Sequence, residues 1–113
     1  MNLDDALRYL FLRLLRADRV AAVDAGHKAR AEALADLATR LSITREKESR
    51  SYQVAISDST AAWTIPETDF VFYQRGDRKA TPEPSVSADD AQYDQNLTNA
   101  RKWLEVIVRA HES

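Results

Sequence analysis

The chain has 113 residues, a net charge of −2, no cysteine and only two glycines. The missing cysteines exclude disulfides, thiolate catalysis, cysteine-ligated zinc and iron–sulfur clusters, the small net charge gives no global pull toward nucleic acid or an anionic membrane, and the length suits one domain over residues 1–113 with a modest core. Arginines interrupting the first leucines argue against a signal peptide, and no uncharged run reaches the ~18 apolar residues of a membrane span; the expectation is a cytoplasmic protein without membrane contact.

The densest apolar stretch comes first. On a helix turning ~100° per residue, Leu3, Leu7, Leu10, Phe11, Leu14, Ala17 and Ala21 share a sector about 120° wide. A helix is therefore predicted from Leu3 to Val23, with Asn2 as N-cap and Asp4 and Asp5 in the first turn, where the helix dipole favours acids. Arg8, Arg16 and Arg19 lie on the other side, with Arg13 at its border. That side is not purely polar, because Tyr9, Leu12, Val20 and Val23 share it. A second buried face is implied, against a partner or a later element.

A second helical run is predicted from Lys28 to about Lys47, with Leu34, Leu37 and Leu41 as its apolar members and many alanines between. If the helix ran straight from Leu3, these leucines would point nearly opposite to Leu7, Leu10 and Leu14. A turn at Asp24–His27 lets both stripes face each other as a helical hairpin; one long helix is the alternative. The alanines, Ala29, Ala31, Ala33, Ala35 and Ala38, are expected to allow close packing. Thr44 to Arg50 is expected to be a solvated exit.

From Ser51 the period changes to two. Tyr52, Val54 and Ile56 alternate with polar or small residues, as in a half-buried strand. Asp58-Ser59-Thr60 is a turn cluster. Ala61 to Ile65 returns, with Trp63 and Ile65 on one face, and Pro66 ends it. Phe70 to Gln74 is predicted as the third strand of an antiparallel meander. Val71 and Tyr73 make its second face apolar, so another element or another chain should cover it. A flexible loop is expected at about 76–88. Ser87 then caps a final helix from Ala88 to His111, with Asp89 and Asp90 in its first turn and Tyr93, Leu97, Ala100, Trp103, Leu104, Ile107 and Val108 on one face.

The fold expected is α+β: an N-terminal helical hairpin or one long helix, a three-stranded antiparallel sheet and a C-terminal helix. Little in it marks chemistry. His27 and His111 lack neighbours at metal-ligand spacing. The adjacent acids fall in first helical turns, where the dipole accounts for them. No glycine-rich phosphate loop is present. Asp18 lies near the apolar side of the first helix, and an arginine from another helix would account for it. The aromatics Tyr52, Trp63, Phe70, Phe72 and Tyr73 lack the glycine and basic pattern of an RNA-binding sheet, and read as core or interface. No cofactor, metal site or catalytic residue is expected. The function expected is a non-enzymatic protein–protein interaction module (an adaptor, accessory subunit or inhibitor-like protein), working as an oligomer through Arg8, Tyr9, Leu12, Arg16, Arg19, Val23, Val71 and Tyr73. The alternative is a nucleic-acid-associated regulator using the arginine face.

Overall fold

Two helices open the chain, and a computed structural model describes them and the rest of residues 3–71 and 91–112. Helix α1 runs Leu3–Asp24 and buries Ala6, Leu7, Leu10, Phe11, Leu15 and Ala22. Its inner stripe starts where the leucine spacing puts it and then rotates. Ala17 and Ala21 are exposed, while Asp18 and Ala22 turn toward the C-terminal helix, whose Arg101 pairs with Asp18.

The hairpin, not the long helix, is what forms, and Gly26 makes the turn. It adopts φ +77°, a left-handed conformation in which glycine carries no Cβ penalty. The His27 N–H bonds the Ala22 carbonyl at 2.8 Å and the Gly26 N–H bonds the Val23 carbonyl at 3.0 Å, the paired bonds of a glycine-terminated helix. Helix α2 follows at Lys28–Arg40.

The second helix does not reach Lys47. It ends at Arg40, and Leu41–Glu46 is strand β1. No loop separates the two. Leu41 is extended (φ −71°, ψ 126°) while its N–H still bonds the Leu37 carbonyl. The expected solvated exit is thus largely an edge strand. Its side chains alternate: Leu41 is buried, Ile43 and Arg45 are half-buried, and Ser42, Thr44 and Glu46 are exposed. Strand β2 is Ser51–Ile56 and β3 is Ala62–Pro66. The sheet is antiparallel in the order β1-β2-β3. Leu41 lies opposite Ile56 and Ile43 opposite Val54, while Tyr52 lies opposite Ile65 and Val54 opposite Trp63. Tyr52, Val54, Ile56 and Ile65 are all buried.

Among the described residues the sheet therefore has three strands, and one of them, β1, is not among those expected. After β3 the chain makes a short 3-10 turn, η1, at Glu67–Asp69. Phe70 and Val71 lie in no strand, and Phe72 to Gln74 lie outside the described residues. Phe70 serves the core instead. Its ring meets Phe11 edge-on (6.4 Å, 84°) and Tyr52 likewise (6.3 Å, 81°), the geometry that aromatic quadrupoles favour.

Helix α3, Ala91–Glu112, closes the core with Tyr93, Ala100, Leu104, Ile107 and Val108 buried. The expected cap at Ser87, Asp89 and Asp90, like the loop at 76–88, lies outside the described residues. Polar contacts pin α3 at both ends. Near its start, the Asn96 side chain donates to the Val71 carbonyl at 2.7 Å and accepts from the Val71 N–H at 3.0 Å. The Trp103 indole N–H donates to Asp69 Oδ2 at 2.8 Å, and the Asn99 amide donates to the Asp69 carbonyl. Farther along, Arg101 pairs with Asp18 of α1, Glu112 with Arg30 of α2, and His111 lies 3.2 Å from Asp36 of α2.

Candidate interaction surface

Helix α1 has two working sides. Its inner side fills the core. Its outer side carries Tyr9, Leu12, Arg16, Arg19 and Val23, separated by steps of three, four, three and four residues. That is the spacing by which one helix presents a seam to another. Val23 is 62% exposed and Tyr9 38%, Arg16 and Arg19 are exposed, and Leu12 is half-buried.

The hairpin supplies a second wall. Lys28, Ala31, Ala35 and Ala38 repeat along α2 by three, four and three. Between the walls run two hollows. One, about 540 Å³, is bounded by Arg19, Val23, Gly26, Lys28, Ala31, Glu32 and Ala35. The other, about 270 Å³, is bounded by Leu12, Leu15, Arg16, Arg19, Leu34, Ala35, Ala38 and Thr39. Arg19 and Ala35 border both, so the hollows join into one groove along the outside of the hairpin. Its floor is apolar, and the short alanine side chains of α2 keep it open.

The structure divides the arginines that the sequence groups together. Arg8 does not join the surface. Its guanidinium reaches inward, and Nη1 donates to the Leu41 carbonyl at 2.6 Å, where α2 passes into β1. Arg13 lies over the Tyr93 ring of α3, 5.6 Å from its centre, an attraction between cation and aromatic face. Arg16 and Arg19 have no hydrogen-bond or ion-pair partner among the described residues, and neither does Lys28 across the groove. Among the described residues the groove thus carries three unpaired cations and one carboxylate, Glu32, on a chain whose net charge is negative.

Val71 is also exposed, at 47%, but its backbone is clamped by Asn96 at the start of α3. It does not line the hairpin groove. Tyr73 lies outside the described residues. The α2 wall is what sequence reasoning missed: its alanines read as packing residues. The available signal was their three-and-four spacing, in phase with the exposed Lys28.

A second cleft, about 540 Å³, opens where the C-terminal ends of α1 and α3 meet the start of α2. Asp18, His27, Arg30, Arg101, Arg109 and Glu112 are among the residues around it. Its charges are largely used to join helices, in the Asp18–Arg101 and Arg30–Glu112 pairs. The arginine partner is what the sequence required to account for Asp18. Among the described residues, no group of three or more potential metal ligands converges. No described helix is long and apolar enough to cross a membrane.

Burial pushes the Tyr52 phenol up to about 12, with a smaller contribution from the Glu67 carboxylate. Its hydroxyl is buried without a hydrogen-bond partner among the described residues, so it stays protonated and neutral at ordinary pH and belongs to the core. No protein-family model, no curated protein and no solved structure matches the chain.

Proposed function

We propose that this chain is a non-enzymatic protein-interaction module that works in the cytoplasm and binds its partner along the outer groove of the α1–α2 hairpin. One observation carries the reading: α1 repeats a seam of mixed apolar and cationic residues on the side turned away from a core that its other side already fills. Exposed apolar side chains scattered singly are ordinary. Leu12 and Val23 instead border a groove with an apolar floor, and Tyr9 continues their line along α1 beyond its lining.

The groove favours a different chain over a second copy. Isologous pairing of two identical faces would bring Arg16, Arg19 and Lys28 of each copy toward the same cations of the other, and like charges disfavour such contacts. The partner proposed for this groove is therefore a different chain.

Nucleic acid binding is the weaker reading, because Arg8 is bonded to the Leu41 carbonyl, Arg13 is held over the Tyr93 ring and Glu32 lies among the remaining cations. A gel shift at low salt separates the two readings, since phosphate contacts are strongest there. The proposal expects no shift. The direct test is affinity capture from the native host with the wild-type chain and with Val23→Glu, using quantitative mass spectrometry. The reading expects a protein retained by the wild type and lost by a folded Val23→Glu. Equal recovery on both would remove the groove from the account.

A further inference from the structure

We propose that the groove receives one amphipathic helix of another protein, about four turns long, whose apolar stripe is flanked by acidic side chains; this rests on the reading of the groove as the interaction surface. The spacing of the walls indicates the helix. Leu12, Arg16, Arg19 and Val23 on one side and Lys28, Ala31, Ala35 and Ala38 on the other both repeat by threes and fours. Side chains of a helix laid between them enter the gaps at that same period. The alanines let its backbone come close to α2, at the short end of the 8–10 Å range typical of packed helices.

Length follows from the shorter wall. Helix α2 has 13 residues, and at a rise of about 1.5 Å per residue that wall is roughly 20 Å long. A helix of about four turns matches it.

Charge selects the flanks. Arg16, Arg19 and Lys28 lack partners among the described residues, and only Glu32 opposes them along the groove. The first turn of α2 contains no acid, and His27 provides no side-chain cap. The positive end of that helix dipole therefore adds to the cations at the Gly26–Lys28 end of the groove. Carboxylates on the incoming helix answer both. The apolar floor between the cations suits leucine-type side chains and offers nothing to a sugar–phosphate backbone.

The test is a displayed library of four-turn helices selected on the immobilised full-length chain. Leucines occupy the groove-facing positions, and the flanking positions are randomised among Glu, Lys and Ser. Binding is mapped by amide chemical shifts. The proposal expects selected helices enriched in Glu at the flanks, shifts concentrated at Val23, Ala35 and Ala38, and affinity that falls with added salt. It also expects the double variant Arg16→Glu/Arg19→Glu, whose side chains are exposed, to bind the selected helices at least about tenfold more weakly. Helices that map to the groove but carry Lys or Ser flanks would overturn the acidic occupant and leave the interaction module standing. Helices that map elsewhere, or no selected helix at all, would overturn both.

Discussion

The Arg8 guanidinium donates to the Leu41 carbonyl at 2.6 Å across 33 residues of chain. The bond reaches the point where α2 stops and β1 begins. A helix C-terminus leaves carbonyls without intrahelical partners and carries partial negative charge, so a buried-side arginine is well suited there. Arg8→Ala is expected to cost about 1.5–3 kcal/mol, the range for a hydrogen bond to a charged group. Urea unfolding measures that loss, and affinity for groove-bound helices should stay within about twofold. A variant of unchanged stability and reduced binding would return Arg8 to the surface.

Asn96 and Val71 exchange two hydrogen bonds, with Asn96 only 1% exposed. The side-chain amide does for Val71 what a neighbouring strand would do. Asn96→Ala strands both backbone groups, and a loss of about 2–3 kcal/mol is expected from the unmade bonds. Asn96→Asp keeps the acceptor for the Val71 N–H and turns the donor into a second acceptor, so it should be destabilising as well. Thermal melts of the two variants check this.

Gly26 sits at φ +77° with nothing within 4 Å of where a Cβ would lie. The penalty for Gly26→Ala is therefore conformational and not steric, expected at roughly 1 kcal/mol. Gly26→Asn should cost less, because asparagine tolerates the left-handed region better. Equal losses in both variants would point to a contact instead.

Tyr52 is raised to about 12 from its ordinary 10.0. Its ionised form is disfavoured in the fold, so its contribution is fully present below pH 10. Between 10 and about 12, the unfolded chain releases this proton and the folded chain holds it. Stability therefore falls through that window, by an amount on the order of 2 kcal/mol for this group. Tyr52→Phe should remove that component of the alkaline loss. At neutral pH it should be neutral or slightly stabilising, since the hydroxyl is buried without a partner among the described residues. Absorbance titration of the phenolate, with denaturation at several pH values, measures both.

Much of this architecture is written locally, and the exceptions have physical causes. The leucine spacing of α1 and the reversed phase of Leu34 and Leu37 require a turn, which Gly26 makes. Strand β1 was hidden because Leu41 also stands four residues beyond Leu37, so a helical period absorbs it. No glycine or proline marks the change. Phe70 has strong strand propensity, but its packing between Phe11 and Tyr52 overrides it. On the candidate surface, the apolar residues among the arginines of α1 were legible as a second face. The split among those arginines was not, because the Leu41 carbonyl and the Tyr93 ring come near Arg8 and Arg13 only through tertiary folding.

The central claim is that the groove, and not exposed apolar surface in general, binds the partner. Val23 beside the groove and Val106 on α3 are a matched pair, 62% and 50% exposed. The most direct measurement is the dissociation constant of the captured partner for Val23→Glu and Val106→Glu, with both folds verified by circular dichroism. The account predicts at least about tenfold weaker binding for Val23→Glu and wild-type affinity for Val106→Glu. Unchanged binding by Val23→Glu, or an equal loss in both, would contradict it.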